Sequence, residues 1–319
     1  MYKIGILGFK NDDHVKTLLQ EIKRKKAQPV LIDFYNFPRF NLLTLGDETV
    51  YDDIHIKEEI NLKDISILFI RNINRPLSDK YLSIKKLKSD SLHATRRLMY
   101  QYSFIKIMKN KIPVINMLYA SCFHRLKAYQ HYLLNSQGIR VPKTLATNNL
   151  KAIHEFAAKY HSRIIAKPNT SGAEVVMVDH AFLKKNKHII LSRPFLFQQY
   201  VKGKSFRAYV LGGKIISFGS IHYNENIVDW REKQGTVVKE MPQTNLKKQI
   251  NKAVKILNLA FCSVDIEYDY DTKTYYFLDF SPNPLFLYWS KMTGDAIAVS
   301  IIDYLIKVID NKGQIWQDE

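Results

Sequence analysis

The sequence of 319 residues predicts an α/β protein in two parts, an open parallel-type sheet with helices followed by a larger part built on antiparallel strands. The first third alternates apolar runs of strand length with amphipathic helical stretches. The second half contains longer strands separated by hairpin turns. Hydrophobic residues make up 46% of the chain and charged residues 24%, the balance of a protein with an ample core.

The first third of the sequence predicts the parallel sheet. Apolar runs of strand length lie at residues 3–9, 29–34, 65–71 and 112–117. Asp12 or Asp13 can cap a helix between the first two runs. Because strands that alternate with helices usually pair in parallel, we expect an open α/β domain over residues 1–118.

A long helix is expected at about residues 78–111. Its apolar stripe consists of Leu98, Tyr102, Ile105 and Met108. Residues 75–111 contain ten basic and two acidic residues. This basic face is either simply solvated or a docking surface for an acidic partner.

From residue 119 onward we expect a second domain, over residues 119–319, with antiparallel strands. Helices are predicted at residues 127–138, 148–161, 246–257 and 293–310. Strands are predicted at residues 162–168, 195–201, 205–223, 262–271 and 272–281. Gly212 and Gly213 indicate that residues 205–223 form two antiparallel strands joined by a hairpin turn.

The composition limits the kinds of partner and the cellular location that we expect for this protein. A formal net charge of +18 would attract nucleic acid, anionic lipid headgroups or an acidic peptide, and a lysine-rich proteome would produce it without any partner. The aromatic residues lie in apolar strands and do not alternate with Lys and Arg, which argues against a base-stacking nucleic-acid binder. With two cysteines, no signal peptide and no apolar run of about 18 residues, we expect a cytoplasmic protein without a membrane span.

Two sets of residues carry the chemistry that the sequence suggests. Lys167 ends an apolar strand just before a small-residue loop with Ser171 and Gly172, and such a loop can clamp a phosphate. Asp265 and Asp279 lie on two strands joined by a hairpin. Side by side they would either be structural or share a divalent cation. No P-loop, dinucleotide fingerprint, serine hydrolase motif or zinc spacing is present.

Several segments in order resemble the ATP-grasp superfamily, and within it the RimK-like glutamate ligases and the microviridin-type peptide ligases. The resemblance runs from about residue 112 to residue 312. Its segments are HRLKAYQHYLLNSQGIRVPKTLATN, IIAKPNTSGAEVV, FQQYVKGKSFRAYVLGGKII, VDIEYD, YYFLDFSPNP and KMTGDAIAVSIIDYLI. In the first third, LFIRNINRP and VIN look more like the peptide ligases. The resemblance implies a pre-ATP-grasp domain followed by an ATP-grasp domain with a lid at about 147–200.

The resemblance also implies roles for individual residues. Those implied to hold ATP are Lys127, Lys167, Ser171, Gly172, Gln198, Gln199, Tyr200, Val201 and Ser205. The two lysines would contact the phosphates, and residues 198–201 would edge the adenine with backbone groups. Arg207 would face the transferred phosphate or the acyl group, and Arg231 would hold the substrate carboxylate. The residues implied to bind Mg²⁺ are Asp265, Asp279, Ser281 and Asn283.

The sequence departs from the family at three of these positions. Ser205 replaces an aspartate in the ribose-contacting position, Asp279 replaces a glutamate, and Ser281 replaces an asparagine, with Asn283 two residues further on. Because Mg²⁺ needs close, nearly octahedral oxygen ligands, the shorter side chains put a second metal ion in doubt. Catalysis is put in doubt to a lesser degree.

Two functions follow from this resemblance. The first is an ADP-forming carboxylate–amine ligase that forms an amide bond on an acidic peptide or protein, with an amino acid or amine as co-substrate and the basic 78–111 helix as the docking surface. The alternative is a catalytically weakened ATP-binding regulatory or interaction protein. Both would use ATP and Mg²⁺. Related enzymes form dimers or tetramers, so a homo-oligomer is also an expectation.

Overall fold

The structure is a computed structural model that describes residues 1–33, 41–44, 50–53, 58–61, 64–71, 99, 102–116, 120, 126–167, 175–223 and 235–316. The helices are α1 (Asp13–Arg24), α2 (102–111), α3 (Lys127–Ser136), α4 (Leu150–Lys159), α5 (His180–Ser192), α6 (Thr244–Ile256), α7 (Leu287–Thr293) and α8 (Ile297–Asp310). The strands are β1 (Lys3–Leu7), β2 (Gln28–Ile32), β3 (Asn41–Thr44), β4 (Val50–Asp53), β5 (Glu58–Asn61), β6 (Ile67–Ile70), β7 (Val114–Ile115), β8 (Thr144–Thr147), β9 (Ile164–Lys167), β10 (Val176–Met177), β11 (Phe195–Gln199), β12 (Gly203–Leu211), β13 (Lys214–His222), β14 (Thr236–Lys239), β15 (Phe261–Asp269) and β16 (Thr274–Ser281).

The chain divides into two compact units. The first consists of Met1–Leu118, Leu285–Leu287 and Ala296–Glu319, and the second of Tyr119–Pro284 and Tyr288–Asp295. The first unit contains a parallel sheet in the order β2-β1-β6-β7, which confirms the predicted open α/β architecture. α1 begins after Asp12, whose carboxylate accepts a hydrogen bond from the backbone N–H of His14, as an N-cap residue does.

The first unit differs from the sequence prediction in one respect. β3, β4 and β5 form a short antiparallel sheet that was not predicted. In α2, Ile105 and Met108 of the predicted apolar stripe are buried in the core of the parallel sheet, together with Phe104, which was not predicted. Tyr102 is half-buried, and Leu98 lies outside the described residues. Residues 72–98, with most of the basic stretch, lie outside the described residues. Within the described part of the chain, the helices are too short or too polar to cross a membrane.

The second unit contains a small sheet in the order β10-β9-β11-β8. α4 and α5 cover one of its faces, where Ile153, Leu183 and Ile190 pack against Phe197. α5 was not predicted, although Asp179 caps it. Because side chains alternate along a strand, Gln198 points to the face opposite Phe197.

The second unit also contains a large antiparallel sheet in the order β14-β13-β12-β15-β16. Gly212 and Gly213 have φ angles of 57° and 85°, which a type I′ hairpin turn requires, so the predicted turn is confirmed.

The helix predicted at 293–310 begins later than expected. α7 ends at Thr293, Gly294 has a φ of 74°, and α8 starts at Ile297. Glycine at a positive φ ends a helix, which explains the break.

Candidate functional site

Three neighbouring strands of the large sheet bring the predicted phosphate-facing and metal-binding residues into one row. Arg207 on β12 lies opposite Asp265 on β15, and Asp265 lies opposite Asp279 on β16. Directly opposed residues of antiparallel strands project from the same face, with Cβ atoms about 5 Å apart. The expected side-by-side pairing of the two aspartates is therefore present, and we call these three residues the central row.

One end of the central row is a bidentate ion pair. Arg207 Nε and Nη2 donate to the two carboxylate oxygens of Asp265 at 2.6 and 2.8 Å. Burial disfavours the guanidinium charge, but the carboxylate outweighs this and raises the pKa of Arg207 above its ordinary value. The pair therefore holds a permanent cation and a carboxylate in fixed orientation.

The other end of the central row is paired with a lysine from a helix. Lys127 is the first residue of α3, and its Nζ donates to Asp279 Oδ1 at 2.6 Å. The lysine side chain is 11% exposed and the aspartate 29%. Each aspartate of the row is thus neutralised by a cation in this structure. Lys127 therefore lies at the Asp279 end of the central row.

Ser281 and Asn283, the other predicted metal-binding residues, lie at and just after the end of β16. Ser281 lies two residues after Asp279 on β16, so it projects from the same face, and it pairs with Ser263. Asn283 follows the strand and is half-buried. Across the described ranges, no three or more His, Cys, Asp or Glu residues come together as a metal site would require. The four predicted metal-binding residues thus comprise two carboxylates, a hydroxyl and an amide.

A second row, next to the central row, contains a carboxylate that the sequence reasoning missed. Glu267 lies opposite Ser205, and Ser205 Oγ donates to Glu267 Oε2 at 2.5 Å. The Tyr223 hydroxyl lies 2.8 Å from the same Ser205 oxygen. Burial raises the pKa of Glu267 to about 7. A possible sequence signal was its position two residues after Asp265, on the same face of β15.

The small sheet contributes the second predicted lysine. Lys167 ends β9 and pairs with Leu196, which lies two residues before Gln198 on β11, so all three project from one face. His131 on α3 is buried beside this face. Burial, and next to it the positive charge of Lys167, lower the pKa of His131 to about 4.

His131 connects the two sheets and was also missed by the sequence reasoning. The charges that influence its pKa include Lys127 and Asp279 as well as Lys167, so the two predicted phosphate-binding lysines and one aspartate of the central row lie near one imidazole. His131 lies four residues after Lys127 on α3, which places both on the same helix face. That spacing was the available signal.

Gln198, predicted to edge the adenine, is fully buried in the small sheet. Its Nε2 lies 3.1 Å from Thr144 Oγ1 and 3.2 Å from His131 Nδ1. Its Oε1 has no hydrogen-bond partner among the described residues. An unpaired buried carbonyl costs about 1–3 kcal/mol, so this oxygen is a polar group that the described residues leave unsatisfied.

Gln199, Tyr200 and Val201, which were also predicted to edge the adenine, follow Gln198 directly in the sequence. The backbone N–H groups of Gln199 and Tyr200 donate at 2.9 Å to the carbonyls of Lys143 and Arg163. These N–H groups are used within the fold, so the carbonyl groups are what these two residues can offer to a base. Val201 is buried. The predicted residues Ser171, Gly172 and Arg231 lie outside the described residues.

A family model decides the classification of the chain. The model of the RimK-like ATP-grasp domain matches residues 124–305, more than half of the 319 residues. The chain belongs to the RimK-like ATP-grasp family. The predicted superfamily and fold class are thereby confirmed. The search of curated protein sequences finds no match.

Solved structures of ATP-grasp ligases share the fold of this RimK-like chain. The ATP-grasp ligase PsnB, complexed with a phosphomimetic variant of its minimal precursor, Mg and ADP, is 21% identical with a TM-score of 0.82, over 96% of this chain and 98% of that one. The macrocyclase MdnC from Microcystis aeruginosa MRC, bound with the precursor peptide MdnA, is 17% identical with a TM-score of 0.81, over 96% and 99%. The D-alanine–D-alanine ligase from Bacillus anthracis, complexed with ATP, is 16% identical with a TM-score of 0.60, over 100% of both chains.

Proposed function

We propose that this protein is an ATP-dependent, ADP-forming carboxylate–amine ligase that forms an amide bond on a peptide or protein substrate. The observation that carries the proposal is the meeting of two faces around His131. One face holds the central row with Lys127, and the other holds Lys167 and Gln198. Two lysines, an arginine and two carboxylates are the charges that a triphosphate and its cation need.

The small sheet supports the proposed nucleotide site. Gln198 Oε1, which has no hydrogen-bond partner among the residues that the structure describes, is an acceptor, and the exocyclic amino group of adenine is a donor. Leu196 and Ile165 are buried apolar residues on the same face, where a base could stack. Lys167 at the end of β9 would then contact the phosphates. The same face thus offers a polar contact for the base, apolar walls and a charge for the phosphates.

The central row supports a magnesium site. Asp265 and Asp279 supply carboxylate oxygens, and Ser281 and Asn283 supply a hydroxyl and an amide oxygen, which are the hard donors that Mg²⁺ prefers. When bound, the metal would neutralise phosphate charge and hold the oxygens in line for transfer. The shorter side chains at positions 279 and 281 remain the reason to expect one ion rather than two.

The proposed reaction has two steps. A substrate carboxylate oxygen attacks the γ-phosphorus of ATP, and the bond to ADP breaks. An amine nitrogen then attacks the resulting acylphosphate carbon, phosphate leaves, and the nitrogen loses a proton. Lys127, Lys167 and Arg207 would stabilise negative charge on the phosphoryl oxygens in both steps. Arg231 is proposed to hold the substrate carboxylate.

An acidic peptide is the proposed substrate class. The chain has a formal net charge of +18, and residues 75–111 contain ten basic residues against two acidic ones. Such a field attracts acidic partners and accelerates their association. The fold relatives PsnB and MdnC were solved with their precursor peptides. We therefore propose that a peptide docks on the basic 78–111 stretch, with an amino acid or amine as the second substrate. Cytoplasmic location and homo-oligomer formation remain predictions.

The proposal is tested by ADP release in the presence of ATP, Mg²⁺ and acidic peptides. Lys167→Met and Asp265→Asn should each lower peptide-dependent release at least about a hundredfold, because each removes a charge at the reacting phosphate. Lys151→Met is the matched control, since its side chain is 85% exposed on α4. Undiminished release in both site variants would refute the assignment.

A second function is favoured by the departures at positions 205, 279 and 281. Ser205, Asp279 and Ser281 are smaller than the family's residues, which would suit an ATP-binding regulatory or interaction protein that no longer turns over. Calorimetry separates the two functions. The alternative requires nucleotide binding with weak dependence on Mg²⁺ and no ADP release with any acceptor.

A further inference from the structure

The indole of Trp289 on α7 lies beside Arg207 of the central row. Gly219 on β13 is the residue opposite Arg207, on the side of β12 away from Asp265. A Cβ atom at Gly219 would lie 3.2 Å from Trp289 Cζ2, so the indole takes the space that the missing side chain leaves. Trp289 is only 3% exposed. Arg207 is therefore flanked by a carboxylate on one side and by a glycine that an indole covers on the other.

The same indole also packs against a hydrogen-bond partner of Arg207. Tyr209 lies two residues after Arg207 on β12, so the two side chains project from one face. The Tyr209 side chain is fully buried and forms a hydrogen bond with Arg207. Its ring centroid lies 5.5 Å from that of Trp289. Trp289 thus borders Arg207 in two ways, through Tyr209 and through the backbone at Gly219.

A chain of hydrogen bonds that runs in one direction holds the indole in place. Trp289 Nε1 can only donate, and it donates to Ser217 Oγ at 2.7 Å. The Ser217 hydroxyl has one hydrogen, which it donates to Asp295 Oδ2 at 2.6 Å. Lys239 Nζ donates to the other carboxylate oxygen, Asp295 Oδ1, at 2.5 Å. The donor and the acceptor of each bond therefore follow from the chemistry of the groups.

Asp295 is an ionised end point for this chain. Burial raises the pKa of Asp295, but hydrogen bonds from Lys239, Ser217 and Thr293 outweigh burial and hold the pKa below its ordinary value. A hydrogen bond to an ionised acceptor is roughly twice as strong as one between neutral groups. The carboxylate thus directs the Ser217 hydrogen toward itself, which leaves a lone pair of Ser217 Oγ for the indole.

We propose that Trp289 is a positioning residue that holds Arg207 in its orientation for phosphoryl transfer, and that Ser217 and Asp295 fix the indole. The bidentate pair orients the guanidinium relative to Asp265 alone, so a second contact is needed to keep both side chains from swinging together. Trp289 supplies that contact from the β13 side. The inference deepens the proposed function and rests on it, because it assigns residues that act on the reaction through Arg207.

Ser217→Ala tests the inference with a minimal change of volume, and Ser220→Ala is the matched control. Ser220 lies on the same strand, is fully buried, and its Oγ lies 2.8 Å from His222 Nε2. Because side chains alternate along a strand, Ser220 projects from the face opposite Ser217. Both variants lose a buried, hydrogen-bonded hydroxyl and should lower the urea midpoint of unfolding to a similar degree. Only Ser217→Ala should loosen Arg207.

Hydrogen exchange at Arg207 Nε measures this loosening without any substrate. In a sample with ¹⁵N-labelled arginine, the Nε–H signal of Arg207 is identified by its absence from Arg207→Lys. Ser217→Ala should accelerate its exchange with water at least about fivefold, roughly the effect of losing one hydrogen bond, because the ion pair would open more often. Ser220→Ala should change the rate less than about twofold. Equal exchange rates in the two serine variants would overturn the inference.

Turnover shows whether the orientation of Arg207 matters for transfer. With ATP, Mg²⁺ and an oligoglutamate peptide, Ser217→Ala should lower kcat for ADP release at least about tenfold, because the misplaced charge is needed in the transition state. The dissociation constant of ADP should change less than about twofold, since ground-state binding is retained. In an Arg207→Lys background the same substitution should add little, and a full further tenfold loss would contradict the inference. Absence of ADP release by wild type with any acidic peptide would instead refute the proposed function, whereas the exchange rates decide the inference by themselves.

Discussion

Replacing Glu267 by glutamine is expected to make the protein more stable at alkaline pH. The side chain is 3% exposed, and Oε2 accepts a hydrogen bond from Ser205 at 2.5 Å. Burial, the largest influence, raises the pKa of Glu267 from 4.5 to about 7 despite the opposing hydrogen bonds from Ser205 and Gly203. Glutamine has nearly the same shape, keeps an acceptor for the serine and carries no charge at any pH.

The size of the effect follows from linkage. A carboxyl group whose pKa is higher in the folded protein contributes stability that is complete below the unfolded pKa and is lost as the pH rises through the folded pKa. At about 1.4 kcal/mol per pKa unit, the rise from 4.5 to about 7 corresponds to roughly 3 kcal/mol. The free energy of unfolding of wild type, relative to Glu267→Gln, should therefore fall by up to about that amount between about pH 4.5 and about pH 8.

Urea unfolding at several pH values in this range measures the difference. The matched control is Glu155→Gln, because the Glu155 side chain on α4 is 67% exposed and should show little pH-dependent difference. If the difference between Glu267→Gln and wild type stayed constant with pH, the carboxyl would not be held neutral by burial, and the account of this second row would be wrong.

Three further predictions concern the effects of replacing Arg207, Gly203 and His131. Arg207→Lys should slow ADP release about a hundredfold with little change in ADP affinity, because lysine cannot form two parallel hydrogen bonds to Asp265. Unchanged turnover would contradict this prediction. Gly203→Ala should lower the free energy of unfolding by more than about 3 kcal/mol, because a Cβ atom there would lie 1.8 Å from a backbone carbonyl oxygen. Gly138→Ala is the comparison: its φ is 76° and a Cβ atom would meet nothing within 4 Å, so it should cost about 1 kcal/mol. Equal losses would refute the steric argument. The pKa of His131 is lowered from 6.5 to about 4, so wild type should lose up to about 3 kcal/mol of unfolding free energy as the pH falls through that range. His131→Leu should lose less stability on acidification. If urea unfolding showed the same loss at acidic pH in the variant and in wild type, the ring would not be buried in its neutral form.

The parts of the fold with strong local signals were predictable from the sequence. Gly212 and Gly213 predicted the hairpin because a type I′ turn needs positive φ at both positions. Apolar runs joined by a capped helix predicted the parallel sheet. The pairing of Asp265 with Asp279 followed from the hairpin that joins their strands.

Other elements had weak or ambiguous signals. The short strands β3, β4 and β5 lack a long apolar run, and their pairing depends on neighbours rather than on their own composition. The closing helix was predicted to start at residue 293, whereas Gly294, with a φ of 74°, separates α7 from α8. Helix boundaries depend on such single residues.

The partners of the site residues could not be predicted, because they depend on tertiary contacts. Lys127 and Asp279 are 152 positions apart in sequence, and their ion pair exists only because α3 lies beside β16. Glu267 and His131 looked like ordinary strand and helix residues. Their altered pKa values come from burial, which a single sequence does not reveal.

The central claim is that the central row and the Lys167–Gln198 face bind one nucleotide and its cation together. A crystal structure of the protein with ADP and Mn²⁺ tests this most directly, because the anomalous signal locates the metal independently of the nucleotide. We expect a metal peak between the carboxylates of Asp265 and Asp279, with the adenine amino group at Gln198 Oε1. A nucleotide bound elsewhere, or a metal peak away from both aspartates, would contradict it.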